Sequence, residues 1–301
     1  MQVTWKYLKG VTQPTVAVLT ALSLEYTAVR ELLTDVHKVR HERGTVASVG
    51  RLPGTPWDVA LVELGEGNLT AATLTERVVS WLDPDAVLFV GVAGSLKSDI
   101  GLGDVVVATK VYGIHGGKET PEGFLVRPEA WRASHRLEQA AREALRDDPR
   151  AHLKPIAAGD VVLASAESAL AAHLKAHYND AAAIEMEAAG VASAVHLAGE
   201  HALVIRGISD RADAAKSDRD AKNWQPRAAE KAAAVAVAVL RELQPFRGWG
   251  RTGGSGRQGR QGSEEGPHPG STYGGDHLDF RGSTFNGPFV AKRVERGGGE
   301  R

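Results

Sequence analysis

Leu88-Phe89-Val90-Gly91-Val92-Ala93-Gly94-Ser95 is the segment from which the architecture can be worked out. The apolar run begins at Ala86 and leads into a turn with two glycines, Gly91 and Gly94. A strand that is apolar on both faces is a strand covered on both faces. Glycine at its end lets a ligand approach the backbone closely. The turn lacks the spacing and the lysine of a Walker phosphate loop.

Outward from this run the same pattern repeats. Thr15–Thr20, Asp58–Leu64, Val105–Tyr112, Ile156–Leu163 and Ala202–Ile208 read as further strands. Leu24–Leu33, Asn68–Trp81, Pro128–Arg146, Ala166–Ala176, Met186–Leu197 and Pro226–Leu243 read as helices between and after them. Such alternation predicts an α/β fold with helices packed on a mostly parallel or mixed sheet. In such sheets ligands bind beyond the carboxyl ends of the strands, so polar residues just past a strand matter most.

Composition limits the function. With 301 residues, 43% of them hydrophobic, the chain can form one sizeable core. A net charge of -1 gives no long-range attraction to nucleic acid or to an anionic membrane. There is no cysteine, which excludes disulfides, thiolate metal sites and a thiol nucleophile. No segment reaches the roughly 18–20 apolar residues of a membrane span, and residues 1–9 do not read as a signal peptide. A soluble, cytoplasmic protein acting on a small molecule is expected, and nothing in the sequence asks for a metal or an organic cofactor. Near Pro245 the composition changes, and almost half of the 34 glycines lie beyond it. The domain is therefore expected over residues 12–245, followed by a Gly/Arg-rich flexible tail over 246–301. Gly248–Gly275 reads as its linker, and the apolar alternation at residues 276–290 reads as a candidate docking motif for a protein partner.

Four strand ends carry the chemistry. Thr20-Ala21-Leu22-Ser23-Leu24-Glu25 passes from strand to helix, with Ser23 as the expected N-cap and Glu25 in the first turn. Gly91-Val92-Ala93-Gly94 is the second. Ile184-Glu185-Met186-Glu187 is the third, where a carboxylate can accept both hydroxyls of a sugar cis-diol. Val204-Ile205-Arg206-Gly207-Ile208-Ser209-Asp210 is the fourth. A guanidinium in a buried strand must be paired, with Glu185 or Glu187 as the expected partner, and Asp210 follows where it can face a ligand.

Taken together with Gly103-Asp104-Val105-Val106-Val107 and Ala158-Gly159-Asp160-Val161-Val162, these segments resemble the nucleoside phosphorylase superfamily. The similarity is to its methylthioadenosine/S-adenosylhomocysteine nucleosidase branch, over about residues 14–243. The resemblance implies a three-layer α/β/α fold around a central mixed sheet. It implies that Asp210 protonates the departing purine, with Ser209 beside it, and that Glu25 activates the attacking water. Glu187 would hold the ribose hydroxyls next to the Met186 backbone, and Arg206 would orient the acidic residues, Glu185 among them. Gly91, Val92 and Ala93 would line the nucleoside pocket, and Val162 and Leu163 the base. A homodimer or higher homo-oligomer is also implied, with a neighbouring subunit helping to close the pocket.

Breaking an N-glycosidic bond puts positive charge on the ribose and negative charge on the base. An acid at the base and an activated water at the sugar meet that demand, by the logic of paired carboxylates in glycoside hydrolysis. Phosphorolysis would instead need a phosphate site. Glu25 stands at the first strand end and Phe89 two residues before Gly91, where cations would be needed, so hydrolysis is favoured. Two positions depart from the branch. Val92 replaces a small hydroxyl residue and Val162 replaces an aromatic one. The loop Gly113–Arg127, with His115, Lys118 and Arg127, offers cations for a 5′-phosphate. The alternatives are a phosphorolytic purine nucleoside phosphorylase and a non-catalytic nucleoside sensor or effector module. A sensor has no use for Glu25 and Asp210 together.

Overall fold

The computed structural model describes residues 14–121, 123–211 and 218–245, and only the backbone of 218–223. The expected tail, its linker and the motif at 276–290 lie outside the described residues, as do residues 12 and 13 of the expected domain.

Among the described residues twelve strands and six helices follow in order: β1 (Thr15–Thr20), α1 (Ser23–Arg30), β2 (Thr34–Arg40), β3 (Val46–Arg51), β4 (Asp58–Glu63), α2 (Asn68–Leu82), β5 (Ala86–Ser95), β6 (Val105–Gly113), β7 (Gly117–Thr120), β8 (Gly123–Val126), β9 (Glu129–Arg132), α3 (His135–Ala144), β10 (Ala151–Ala158), α4 (Ala169–His177), β11 (Ala183–Glu185), α5 (Ala188–Leu197), β12 (Ala202–Arg211) and α6 (Asp218–Glu242). The main sheet is mixed and ordered β11-β10-β6-β12-β5-β1-β4-β3-β2, with β9 on β6. Its centre, β12-β5-β1-β4, is parallel. β11 also pairs antiparallel with the far end of β5. The five strands β5, β12, β6, β10 and β11 thereby close into a ring.

Helices cover both faces, which gives the three layers. On one side α1, α3 and α6 bury Ala28, Val29, Leu137, Ala232 and Val239 against Val16, Leu88, Val107 and Ile205. On the other, α2 and α5 bury Ala71, Val78, Val191 and Val195 against Ala17, Phe89, Val106 and Val204. Successive β5 side chains therefore feed opposite cores, which is why that strand has no polar alternation. Each fully buried aliphatic side chain contributes about 1.5–3 kcal/mol relative to exposure.

Several expectations are corrected. Ser23 is the first helical residue rather than the cap of α1: Glu25, third in the helix, accepts the N–H of Leu22, the N-cap, at 3.0 Å, and the Ser23 hydroxyl donates instead to Glu63 Oε1 at 2.8 Å. The expected strand Ile156–Leu163 runs earlier, as Ala151–Ala158, with a register shift at Pro155. Residues 159–163, Val162 among them, are loop, tied to Asn68 through Gly159 and Asp160. Residues 128–146 are not one helix. β6 pairs with β12 at Val105, Val106 and Val107, and Glu129–Arg132 pairs with Lys110–Gly113 beyond them before α3 begins. Pro226 lies inside α6, not at its start. Asp210 lies within β12 rather than after it. β2 and β3 form an outer antiparallel edge that the sequence reading passed over.

Candidate active site

One cleft of about 170 Å³ opens at the carboxyl ends of β1, β5 and β12. Glu25, Val92, Ala93, Val162, Leu163, Glu185, Met186, Glu187, Ser209 and Asp210 all line it. Gly91 and Arg206 stand behind its wall. These residues come from segments up to 185 positions apart, and the strand order brings them together.

β12 and β5 set the frame. Gly91 is the register partner of Arg206, and Gly94 that of Asp210. Between Ile208 and Asp210 the pairing slips, leaving Ser209 unregistered. A bulge of this kind re-aims a side chain beside a site. Here it is Asp210 that is carried to the cleft, where its Oδ2 accepts from the Ser209 hydroxyl at 3.1 Å.

Arg206 is fully buried. Its guanidinium lies 3.9 Å over the Phe89 ring and donates through Nη2 to Glu185 Oε2 at 2.5 Å. Nη1 is 3.9 Å from Glu25 Oε1, and Nη2 is 4.0 Å from Glu187 Oε2. The arginine thus sits among three carboxyl groups and links the first, third and fourth strand ends. Its expected pairing is with Glu185 first. Removing one member of a buried ion pair typically costs about 3–5 kcal/mol.

Glu25 is held by three backbone donors. Ala21 N–H and Leu22 N–H donate to Oε2 at 2.9 and 3.0 Å, and Val92 N–H donates to Oε1 at 2.8 Å. Val92 thus serves the site through its backbone, which needs no side-chain hydroxyl. Burial pushes the Glu25 carboxyl above its ordinary range, against the pull of Arg206 and of the three N–H groups. Burial likewise raises Glu185, to about 7, with Arg206 opposing the rise and the Glu187 carboxylate adding to it. Glu185 also accepts from the N–H groups of Glu187 and Ala188, at the start of α5.

Glu187 is the N-cap residue of α5, and its Oε1 accepts from Gly67 N–H at 3.0 Å. This contact was not legible beforehand, nor was the role of Asn68 beside it. Asn68 Oδ1 accepts from Gly190 N–H at 3.0 Å, while Nδ2 donates to the Gly159 carbonyl at 3.1 Å and to Asp160 Oδ1 at 2.9 Å. One amide therefore ties α2, α5 and the 159–163 loop together. A Cβ at Gly190 would overlap the Asn68 carbonyl, so α2 and α5 approach as closely as backbones allow. Glu66 and Gln225 also line the cleft and were likewise missed. The only sequence signal near Glu66 was Gly-Glu-Gly just past β4.

The cations of the 113–127 segment do not reach this cleft. β7 and β8 form an antiparallel hairpin, and His115, Lys118 and Arg127 are exposed and absent from the lining. His115 Nδ1 lies 3.5 Å from Asp160 Oδ2.

Comparison with known proteins agrees with this geometry. The family model of the Phosphorylase superfamily matches residues 15–241. The chain belongs to that superfamily.

Among individual superfamily relatives, a 5′-methylthioadenosine/S-adenosylhomocysteine nucleosidase of Actinobacillus succinogenes is 28% identical over 236 residues, covering 76% of this chain and 99% of the relative. The solved Neisseria meningitidis nucleosidase of the same name, in complex with methylthio-immucillin-A, superposes with a TM-score of 0.67 at 27% identity, over 76% of this chain and 99% of that one. The corresponding Colwellia psychrerythraea enzyme, in complex with adenine, gives 0.68 at 26% identity, over 77% and 96%. Within the superfamily fold, the position of Glu25 is the chemically telling one. Its carboxylate occupies the backbone donors that converge from β1 and β5, so an anion already fills that nest.

Proposed function

We propose that this chain hydrolyses the N-glycosidic bond of a purine nucleoside, of the methylthioadenosine or S-adenosylhomocysteine type or a related adenine nucleoside, to free base and ribosyl product. The observation that carries the reading is the set of three N–H groups bound to Glu25. Phosphorolysis would need those donors for a phosphate; here they hold a carboxylate, which repels phosphate and can take a proton from water.

Each group then has a task. Asp210 protonates the departing base, with Ser209 orienting it. Glu187 accepts the ribose hydroxyls and is held by Gly67 N–H. Glu25 removes a proton from the attacking water. Glu185 neutralises Arg206, and Arg206 keeps Glu25 and Glu187 aligned. Met186, Val92 and Ala93 pack against the nucleoside, and Val162 and Leu163 flank the base. The exposure of Val162, 61%, suits a residue that a ligand or a second subunit would cover. We place the catalytic domain at residues 12–245. A homo-oligomer in the cytoplasm, with residues 246–301 available to a protein partner, completes the proposal.

The test is release of free base from a panel of purine nucleosides by the wild-type chain and by Glu25→Gln. Release that falls about 10²–10⁴-fold in the variant supports catalysis. Nucleoside binding without base release, unchanged in Glu25→Gln, would make the chain a sensor instead.

A further inference from the structure

Glu66 lines the cleft, is exposed, and has no task in the hydrolysis described above. It adjoins Gly67, whose N–H holds Glu187. Its presence completes an unusual wall. Five carboxyl-bearing side chains line the cleft, namely Glu25, Glu66, Glu185, Glu187 and Asp210, while no lysine, arginine or histidine appears among the described lining residues. Arg206 is buried behind that wall and engaged by Glu185.

Ribose chemistry narrows which part of a substrate is left to meet Glu66. The base leaves from C1′, and Glu187 takes the 2′ and 3′ hydroxyls. The remaining substituent of the sugar is at C5′. Glu66 lines the same cleft beside the backbone group that fixes Glu187, which puts it on the sugar-holding side.

We propose that Glu66 selects substrates by the charge of the 5′ substituent, a deepening that rests on the nucleosidase reading. The site takes adenine nucleosides with a neutral or, preferentially, an ammonium-bearing 5′ group, and rejects 5′-phosphates. Like charges in a shared cleft repel, whereas an ammonium beside an exposed carboxylate gains a modest, salt-sensitive attraction.

The experiment compares kcat/KM for 5′-amino-5′-deoxyadenosine, adenosine and adenosine 5′-phosphate in the wild type, Glu66→Gln and Glu66→Lys, at low and physiological salt. The wild type is expected to prefer them in that order. Glu66→Gln is expected to lower the amino-over-adenosine ratio about two- to fivefold, through KM rather than kcat and more at low salt. Glu66→Lys is expected to raise the phosphate-over-adenosine ratio. Melting temperatures show whether the variants fold. Base release with both ratios unmoved in both variants overturns the role of Glu66 and leaves nucleosidase activity standing. No base release from any of the three by the wild type, while methylthioadenosine is cleaved, overturns the role of Glu66 alone; no base release from methylthioadenosine either overturns both.

Discussion

Gly91 and Arg206 are register partners on adjacent parallel strands, and a Cβ on the glycine would overlap both the Arg206 guanidinium and the Glu25 carboxylate. A residue that reads as a turn glycine is therefore the space into which the buried ion cluster packs.

Gly91→Ala should disrupt this cluster although it alters no charged group. Overpacking usually costs about 1–3 kcal/mol, and displacement of Glu25 from its donors should remove most activity. Thermal unfolding together with base-release assays checks this. A variant with wild-type melting and turnover would show that the cluster tolerates the methyl.

Asp210→Asn should distinguish leaving groups. A purine needs a proton to depart, so its release should slow about 10²–10⁴-fold. A 4-nitrophenyl riboside expels 4-nitrophenolate, which departs without protonation, and its turnover should fall far less. Turnover of both substrates by the same variant is the measurement, and equal losses would mean that Asp210 does something other than protonate the base.

The fold was legible where strands were continuous apolar runs. β1, β4, β5, β6 and β12 are largely buried and announce themselves by near-continuous stretches of Val, Leu, Ile and Ala. β2, Thr-Asp-Val-His-Lys-Val-Arg, is an edge strand with much of its length exposed, so no burial pattern marks it. Glu129–Arg132 is strand only because β12 leaves the edge of β6 open, a fact of tertiary pairing. The site divides in the same way. Glu25, Glu187, Arg206 and Asp210 stood out as charges in or just past apolar segments. Gly67 and Asn68 did not, because their meaning lies in Glu187 and Gly190, 120 and 122 residues away.

Asn68→Ala should weaken substrate binding more than chemistry. The amide holds Gly159 and Asp160 at the root of the loop that carries Val162 and Leu163. Its loss frees that loop and leaves Gly190 N–H without its acceptor, at a cost of about 1–3 kcal/mol. We expect KM to rise severalfold with kcat changed less. Steady-state kinetics checks this, and a drop in kcat alone would contradict it.

Stability should fall as pH rises from 4.5 to about 7. Glu185 titrates near 7 when folded and near 4.5 otherwise, so in that window the folded chain retains a proton that the unfolded chain has lost. The group's stabilising contribution is complete below 4.5 and is lost as pH rises through 7, at no more than about 1.4 kcal/mol per pH unit. Glu25 is raised in the same direction. Glu185→Gln should flatten the dependence of melting temperature on pH across this interval, as thermal unfolding in a buffer series would reveal.

The most direct test follows the oxygen that reaches C1′. With a purine nucleoside, inorganic phosphate and ¹⁸O-labelled water, mass spectrometry of the sugar product reports the nucleophile. A carboxylate seated on the Ala21, Leu22 and Val92 N–H groups predicts free sugar labelled at C1′, formed at a rate independent of phosphate. Unlabelled sugar 1-phosphate, rising with phosphate concentration, would contradict it.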